Sequence, residues 1–232
     1  MENIFEKGIR NAKMHGINVS ADEPNKGEGD CLFESVIDNI NHRDCFKTKL
    51  SHPVQYYREK WVSEMQLQFQ ETDHYPGEDN HDIWNTGWEK QKEGGEYNVN
   101  IYNISDIVPA AMGHCVQSNI LVFNVDKNSS SPAHIFKANY FQKNIQPTTE
   151  IPLVLVYNGG HYESLLPKTQ NDSQLCTNLV AKIANNEYDK TKYGFSTQNR
   201  ESLKRKEISS EIGYSQRKKV KALNQNEGKQ FE

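Results

Sequence analysis

The stretch IPLVLVYNGGHYESLL, 151–166, leaves little freedom to any fold that contains it. Its first half is a continuous β-branched and aliphatic run of strand length, which reads as a buried strand. NGG then breaks the run, and the second half resumes with alternating character. The pattern predicts a hairpin. ILVFNV, 120–125, is a second run of the same kind. It follows SDIVPAAMGHCVQSN, 105–119, which reads as a Ser-capped helix ending near Asn119. PAHIF, 132–136, is a short strand candidate. A helix feeding a core strand is typical of mixed α/β layering.

Upstream, Leu32, Phe33, Val36, Ile37 and Ile40 recur at helical spacing. Cys31 therefore falls in the first turn of an amphipathic helix, entered through a glycine-bearing loop. Pro53 opens a second helical pattern through Tyr57, Trp61, Met65, Leu67 and Phe69. The stretch from Glu71 to about Asn98 lacks clear periodicity and reads as a long loop with short helical turns.

A chain of 232 residues fits one enzyme-sized domain with something appended. Only 35% of it is apolar and its mean hydropathy is −0.86, so a contiguous part adds nothing to the core. The change comes at Pro167. Residues 1–167 carry 14 Lys and Arg against 23 Asp and Glu, a balance of −9, whereas 168–232 carry 13 against 8, a balance of +5. Beyond Pro167 the one strong apolar pattern is Leu175, Leu179, Val180 and Ile183, a single short helix. From Asn185 onward the composition predicts disorder or marginal helix. The expected division is an N-terminal segment 1–17, a main domain 18–167 and a basic extension 168–232. KRKE at 204–207 and QRKKVK at 216–221 fit a solvated tail, a contact for an acidic partner or a nuclear address.

MENIFEKGIRNAKMHGINV has no apolar stretch of signal-peptide length, and no segment approaches a membrane span, so the chain reads as soluble. Cys31, Cys45, Cys115 and Cys176 form no C-x-x-C pair, which favours free thiols in a reducing compartment over a disulfide framework or zinc ribbon.

A thiol is a useful nucleophile as thiolate, and a helix N-terminus beside a histidine lowers a thiol pKa from about 8.5 to roughly 3.5–7.5. Cys31 meets the first condition by position. The loop Gly27-Glu28-Gly29-Asp30 supplies backbone N–H groups that could face an oxyanion beside the sulfur. A lone cysteine at a helix start is more often a small buried hydrophobe. That reading loses ground where a base is at hand. His161 begins a strand directly after a glycine turn, and Glu163, two residues on, points to the same face and could accept its second N–H. Nucleophile, base and orienter are then all present.

GEGDCLFESV resembles the cysteine signature of the OTU (ovarian tumour) family of papain-like deubiquitinases, and VYNGGHYESL is similar to that family's histidine signature. The segment GGEYNVNIYNISDIVPAAMGHCVQSNILVF between them resembles the family's intervening stretch, and the likeness runs from about Asn18 to Pro167. The resemblance implies an α+β papain-like OTU fold, a central mixed or antiparallel sheet packed between helices. It implies Cys31 as nucleophile, His161 as general base, and the backbone of Glu28, Gly29, Asp30 and Cys31 as the oxyanion loop. The third catalytic member is Glu163 or Glu28, both positions holding Glu where Asp or Asn is commoner. The same-face argument favours Glu163. Asn158, Gly159 and Gly160 are implied substrate-binding residues, and a slot lined by Gly29, Gly159 and Gly160 suits a diglycine tail.

The implied activity is hydrolysis of ubiquitin isopeptide bonds through a Cys thioester, with ubiquitin or polyubiquitin as partner and no metal or other cofactor. A ubiquitin-binding pseudoenzyme, or an OTU-type protease for a ubiquitin-like modifier, is the alternative. A monomer with no membrane or nucleic-acid role is expected, cytoplasmic, delivered into a host cell, or nuclear through the basic tail. The Asn-, Lys- and Ile-rich composition and the unusual tail resemble those of effectors of intracellular bacteria or viral OTUs.

Other candidates read as structure. His114 and Cys115, adjacent on a helix, point about 100° apart and make a poor dyad. His74 and His81 with Asp73, Asp79 and Asp82 match no metal-ligand spacing, and the Trp84 and Trp88 pair reads as core packing. KGEGD lacks the phosphate-loop pattern.

Overall fold

A computed structural model describes residues 3–25, 29–43, 49–71, 81–94, 104–126, 128–141 and 150–193, with side chains at all of these except 71, 81–84 and 104–106. A compact unit runs over Met1–Asp189, past the change in composition at Pro167. A second unit, Lys190–Glu232, begins with a 3₁₀ turn over Lys190–Tyr193. The basic clusters at 204–207 and 216–221 lie outside the described residues.

Two apolar strands, which read as buried on both faces, form the centre. β2 (Ile120–Asn124) and β4 (Leu153–Tyr157) are buried at their first four positions and pair in parallel, in register from Ile120 opposite Leu153 to Asn124 opposite Tyr157. β3 (Ala133–Phe136) and β5 (Tyr162–Pro167) flank them antiparallel, and β1 (Val19–Ala21) adds to the outer edge of β5. The order is β1-β5-β4-β2-β3, a mixed five-stranded sheet, and the expected hairpin is the β4–β5 pair.

Both faces are covered, and the strand alternation sorts the core accordingly. Ile120, Val122, Leu153 and Leu155 face a cluster built from α2 (Cys31–Asn41), α3 (Val54–Glu71), α4 (His81–Glu93) and α5 (Ile104–Cys115). Leu121, Phe123, Val154 and Val156 face α1 (Ile4–Met14) and α6 (Gln170–Ala184), which contribute Phe5, Ala12, Cys176, Leu179 and Val180. This is the expected sheet between helices.

Three local expectations change. Residues 81–93, read as loop, form α4, whose Trp88 is fully buried against Phe69. The helix expected to run to Asn119 ends at Cys115. Leu67, placed on the apolar stripe of α3, is 52% exposed, while Tyr57, Trp61, Met65 and Phe69 at i+4 spacing carry that stripe. Within the N-terminal segment, Asn3 and Glu6 form a reciprocal capping box that starts α1.

One side chain couples α2 to the sheet. Asn39, fully buried, donates from Nδ2 to Val154 O (2.8 Å), Leu165 O (2.9 Å) and Ser164 Oγ (3.0 Å), and its Oδ1 accepts from Val154 N at 3.3 Å. No helix is long and apolar enough to cross a membrane among the described residues.

Candidate active site

The C-terminal ends of parallel β2 and β4 and the β4–β5 turn meet the N-terminus of α2. A cleft of about 660 Å³ opens there, lined by Cys31, Pro109, Asn124, Asp126, His134 and Phe136, by Tyr157 and Tyr162, and by Gly159 and Gly160. Tyr157 and Tyr162 stack at 4.4 Å between ring centroids, giving one wall a flat aromatic surface. At Gly159, φ is +100° and an added Cβ would lie 3.0 Å from Asp126 Cγ, so a side chain at this position would be strained, whereas Gly160 beside it faces open space.

The turn is built by Asn158, whose Oδ1 accepts from Gly160 N (3.1 Å) and His161 N (2.9 Å). Its carbonyl-like oxygen is thus spent on shaping the reversal that presents His161. His161 Nε2 lies 2.8 Å from Glu163 Oε1, the same-side pairing expected from strand alternation. A carboxylate only accepts, so Nε2 carries the proton and Nδ1 is left as the basic nitrogen. Glu163 is 3% exposed, and its Oε2 accepts from Asn25 N at 3.2 Å. Glu28 lies outside the described residues.

Asn25 is the residue that sequence reasoning missed. Its Nδ2 reaches Tyr162 O (2.7 Å), Ser35 Oγ (2.9 Å) and Cys31 O (3.2 Å), while its N–H holds Glu163. One side chain thereby ties β5 to the first turns of α2. It sits in a segment without periodicity, six residues before Cys31, so no pattern flags it.

Cys31 is the first residue of α2 and is buried. The expectation of a lowered thiol pKa is reversed. Burial pushes the thiol up and outweighs backbone hydrogen bonding at Tyr162 and Leu32, and the nearby charges, Glu163 and Glu34, are carboxylates that push the same way. In this form Cys31 is a protonated thiol. Asp30, at the N-cap position, makes no side-chain cap and instead bonds Arg58. Gly29, expected in the slot, is not among the lining residues; its carbonyl accepts from Arg58 Nη2.

A second imidazole faces the same cleft. Asn124 Nδ2 lies 2.8 Å from His134 Nδ1, and since an amide NH₂ only donates, the His134 proton sits on Nε2. Burial lowers its pKa to about 4, so it is neutral.

The remaining candidates separate from the cleft. His114 is buried against Phe141 and lies 3.9 Å from Glu64, and Cys115 is bonded to the Trp61 carbonyl at 3.6 Å. Asp73, His74 and Asp79, and the side chains of His81, Asp82 and Trp84, lie outside the described residues, as does Cys45. Cys176 is free and buried in the α1–α6 face. Among the described residues no group of three or more His, Cys, Asp or Glu side chains could hold a metal ion.

The crystal structure of the viral OTU domain protease from Taggert virus is similar over 68% of this chain and 84% of that chain, with 13% sequence identity and a TM-score of 0.41. No curated protein matches the chain. Residues 26–163 match the family model described as OTU-like cysteine protease, a span that takes in Cys31, strands β2 to β4, the first two residues of β5 and the His161–Glu163 pair. With more than half of its length inside that match, the chain belongs to the family of OTU-like cysteine proteases.

Proposed function

We propose that this protease is a deubiquitinase that cleaves ubiquitin isopeptide bonds through a Cys31 thioester. The observation that carries the reading is the 2.8 Å His161–Glu163 pair beside the cleft that Cys31 lines. In this reading the Cys31 sulfur attacks the terminal glycine carbonyl while its proton passes to His161 Nδ1. The C–N bond then breaks and the departing lysine amine takes that proton. Water, deprotonated by the same nitrogen, cleaves the thioester and releases the ubiquitin carboxylate, restoring the thiol. Glu163 orients the ring and stabilises the imidazolium.

The lining supports this substrate class. Gly159 and Gly160 leave room for a tail without side chains, and the charged group there is the Asp126 carboxylate, with no Lys or Arg among the lining residues. A flexible, glycine-ended and basic segment suits such a slot, and the −9 balance of 1–167 favours encounter with a basic surface.

Incubation with ubiquitin carrying a cysteine-reactive electrophile at its C-terminus tests the reading. An adduct of ubiquitin mass on wild type, absent from Cys31→Ala, is expected. Absence of the adduct from a folded protein that still binds ubiquitin makes it a pseudoenzyme. Absence of both, with an adduct to another modifier, replaces the substrate.

A further inference from the structure

Arg58 lies on the buried side of α3 beside Tyr57, Trp61 and Met65, and is 1% exposed. A guanidinium so placed is costly unless its donors are met. Nε donates to Asp30 Oδ1 at 2.6 Å, Nη1 to Gln91 O at 2.8 Å, and Nη2 to Gly29 O, while the Phe33 ring lies 4.5 Å from Cζ. Two of these bonds fall on the two residues that lead into Cys31. The bond to Asp30 holds a side chain; the bond to Gly29 fixes a peptide plane.

The described peptide bonds include no cis bond, so C=O and N–H of the Gly29–Asp30 peptide point in opposite directions. Holding Gly29 O toward α3 turns Asp30 N–H the other way. Gly29 has φ of +86°, a conformation that other residues rarely adopt, and this permits the orientation. Asp30 N–H has no partner among the described residues. Because the Asp30 carboxylate is bound to Arg58, it does not occupy the first-turn N–H groups of α2 either.

We propose that Arg58 is a positioning residue that aims the Asp30 N–H, with the Cys31 N–H beside it, at the oxygen that turns negative during catalysis. This rests on the reading of Cys31 as nucleophile. As the S–C bond forms, the carbonyl π pair moves onto that oxygen and the thiol proton goes to His161. As the C–N bond breaks, the pair returns. Donors fixed beforehand stabilise the charge without reorganising, and loss of one such donor costs about 10²–10³ in kcat. Lysine keeps the charge of arginine but is a point donor, unable to grip a carboxylate and a carbonyl in one plane.

The test compares wild type with Arg58→Lys on two ubiquitin derivatives. One carries a C-terminal alkyne, whose addition to the thiol generates no oxyanion; the other is an isopeptide-linked ubiquitin substrate, whose cleavage does. Expected for Arg58→Lys is alkyne labelling within about twofold of wild type, with kcat on the substrate lowered about 10–100-fold and KM little changed. Unchanged kcat, or labelling that falls in step with kcat, overturns the inference. A crystal structure of Arg58→Lys gives an arm independent of ubiquitin. The Gly29 carbonyl rotated away from α3, with the rest superposing, is expected. An unrotated peptide overturns the inference whatever the substrate. Wild type inert to both derivatives overturns the ubiquitin reading instead, and the crystal structure then decides Arg58.

Discussion

Asn39 and Val154 close a two-bond ring across the helix–sheet interface: Nδ2 of Asn39 donates to the Val154 carbonyl at 2.8 Å and the Val154 N–H returns to Oδ1 at 3.3 Å. An amide side chain here replaces the strand partner that Val154 lacks on that side. Cys31 and Asn39 belong to the same helix, so this ring, with the bond to Leu165, sets where the thiol stands relative to β5. Asn39→Leu keeps the branching at Cγ, adds some bulk and removes the bonds. Several backbone groups are then buried without partners, at about 1–3 kcal/mol each. We expect a loss of roughly 2–4 kcal/mol in urea unfolding; a change below about 0.5 kcal/mol would contradict the role.

Glu163 accepts two hydrogen bonds, from His161 Nε2 and Asn25 N. Glutamine offers one oxygen, so Glu163→Gln turns a donor toward one of these donors. We expect kcat to fall about tenfold for Glu163→Gln and about 10²-fold or more for Glu163→Ala, with KM little altered. Full activity of the alanine variant would assign the third role elsewhere, Glu28 being the next to vary.

The thiol of Cys31 is raised by burial and by carboxylates, so the protonated form is favoured and its thiolate appears only at alkaline pH. Iodoacetamide labelling of the Cys31 peptide, followed by mass spectrometry on the free enzyme, should climb about tenfold per pH unit between 7 and 9. A plateau below pH 7 would mean a preformed thiolate–imidazolium pair and contradict this.

Burial holds His134 neutral, with its pKa lowered to about 4, and Asn124 bonds its Nδ1. Nitrogen chemical shifts of its ring should stay constant from pH 5.5 to 9, with the proton on Nε2. Titration with a midpoint above 6 would show the imidazole to be far wetter than its surroundings imply.

α6 adds Cys176, Leu179 and Val180 to the sheet face formed by Leu121, Phe123, Val154 and Val156. Burial of Leu179 and Val180 contributes about 1.5–3 kcal/mol each, a large part of a typical stability of about 5–15 kcal/mol. A chain ending at Pro167 should therefore aggregate, while one ending at Tyr193 should unfold near the full-length urea midpoint. Equal behaviour of the two would place the end of the folding unit at Pro167.

Legibility in the sequence followed the length over which a pattern repeats. β2, β4, the hairpin to β5, and α2 with Cys31 at its start are long or sharply punctuated, and each stands where its pattern puts it. β1 is three residues long and exists because β5 offers an edge from Leu165 to Pro167, which no local pattern encodes. α4 hides because its buried side rests on Trp88 and few other apolar residues. The capping pair Asn3 and Glu6 was the available sign of α1. His161 and Glu163 are two apart on a strand, so simple alternation finds their pairing. Asn25 and Arg58 act through hydrogen bonds across 137 or 138 and 28 or 29 positions, beyond the reach of any periodicity. Arg58 still leaves a trace, as a charge within the apolar stripe of α3. The thiol's raised pKa depends on how much water the folded cleft removes, a property of three dimensions alone.

His15, just after α1, lies 2.7 Å from the hydroxyl of Tyr188, 173 positions later, and their rings stack at 5.8 Å. The two ends of the unit therefore meet on one sheet face. During synthesis α1 leaves the ribosome first yet has no complete surface to rest on until β4, β5 and α6 have followed. Closing a contact of that span carries the entropy of a long loop, which grows as about (3/2)RT ln n. Among the described residues the face bearing the cleft has all of its helices and strands by Pro167, whereas the opposite face still waits for α6, so the last element to arrive closes the side away from the chemistry.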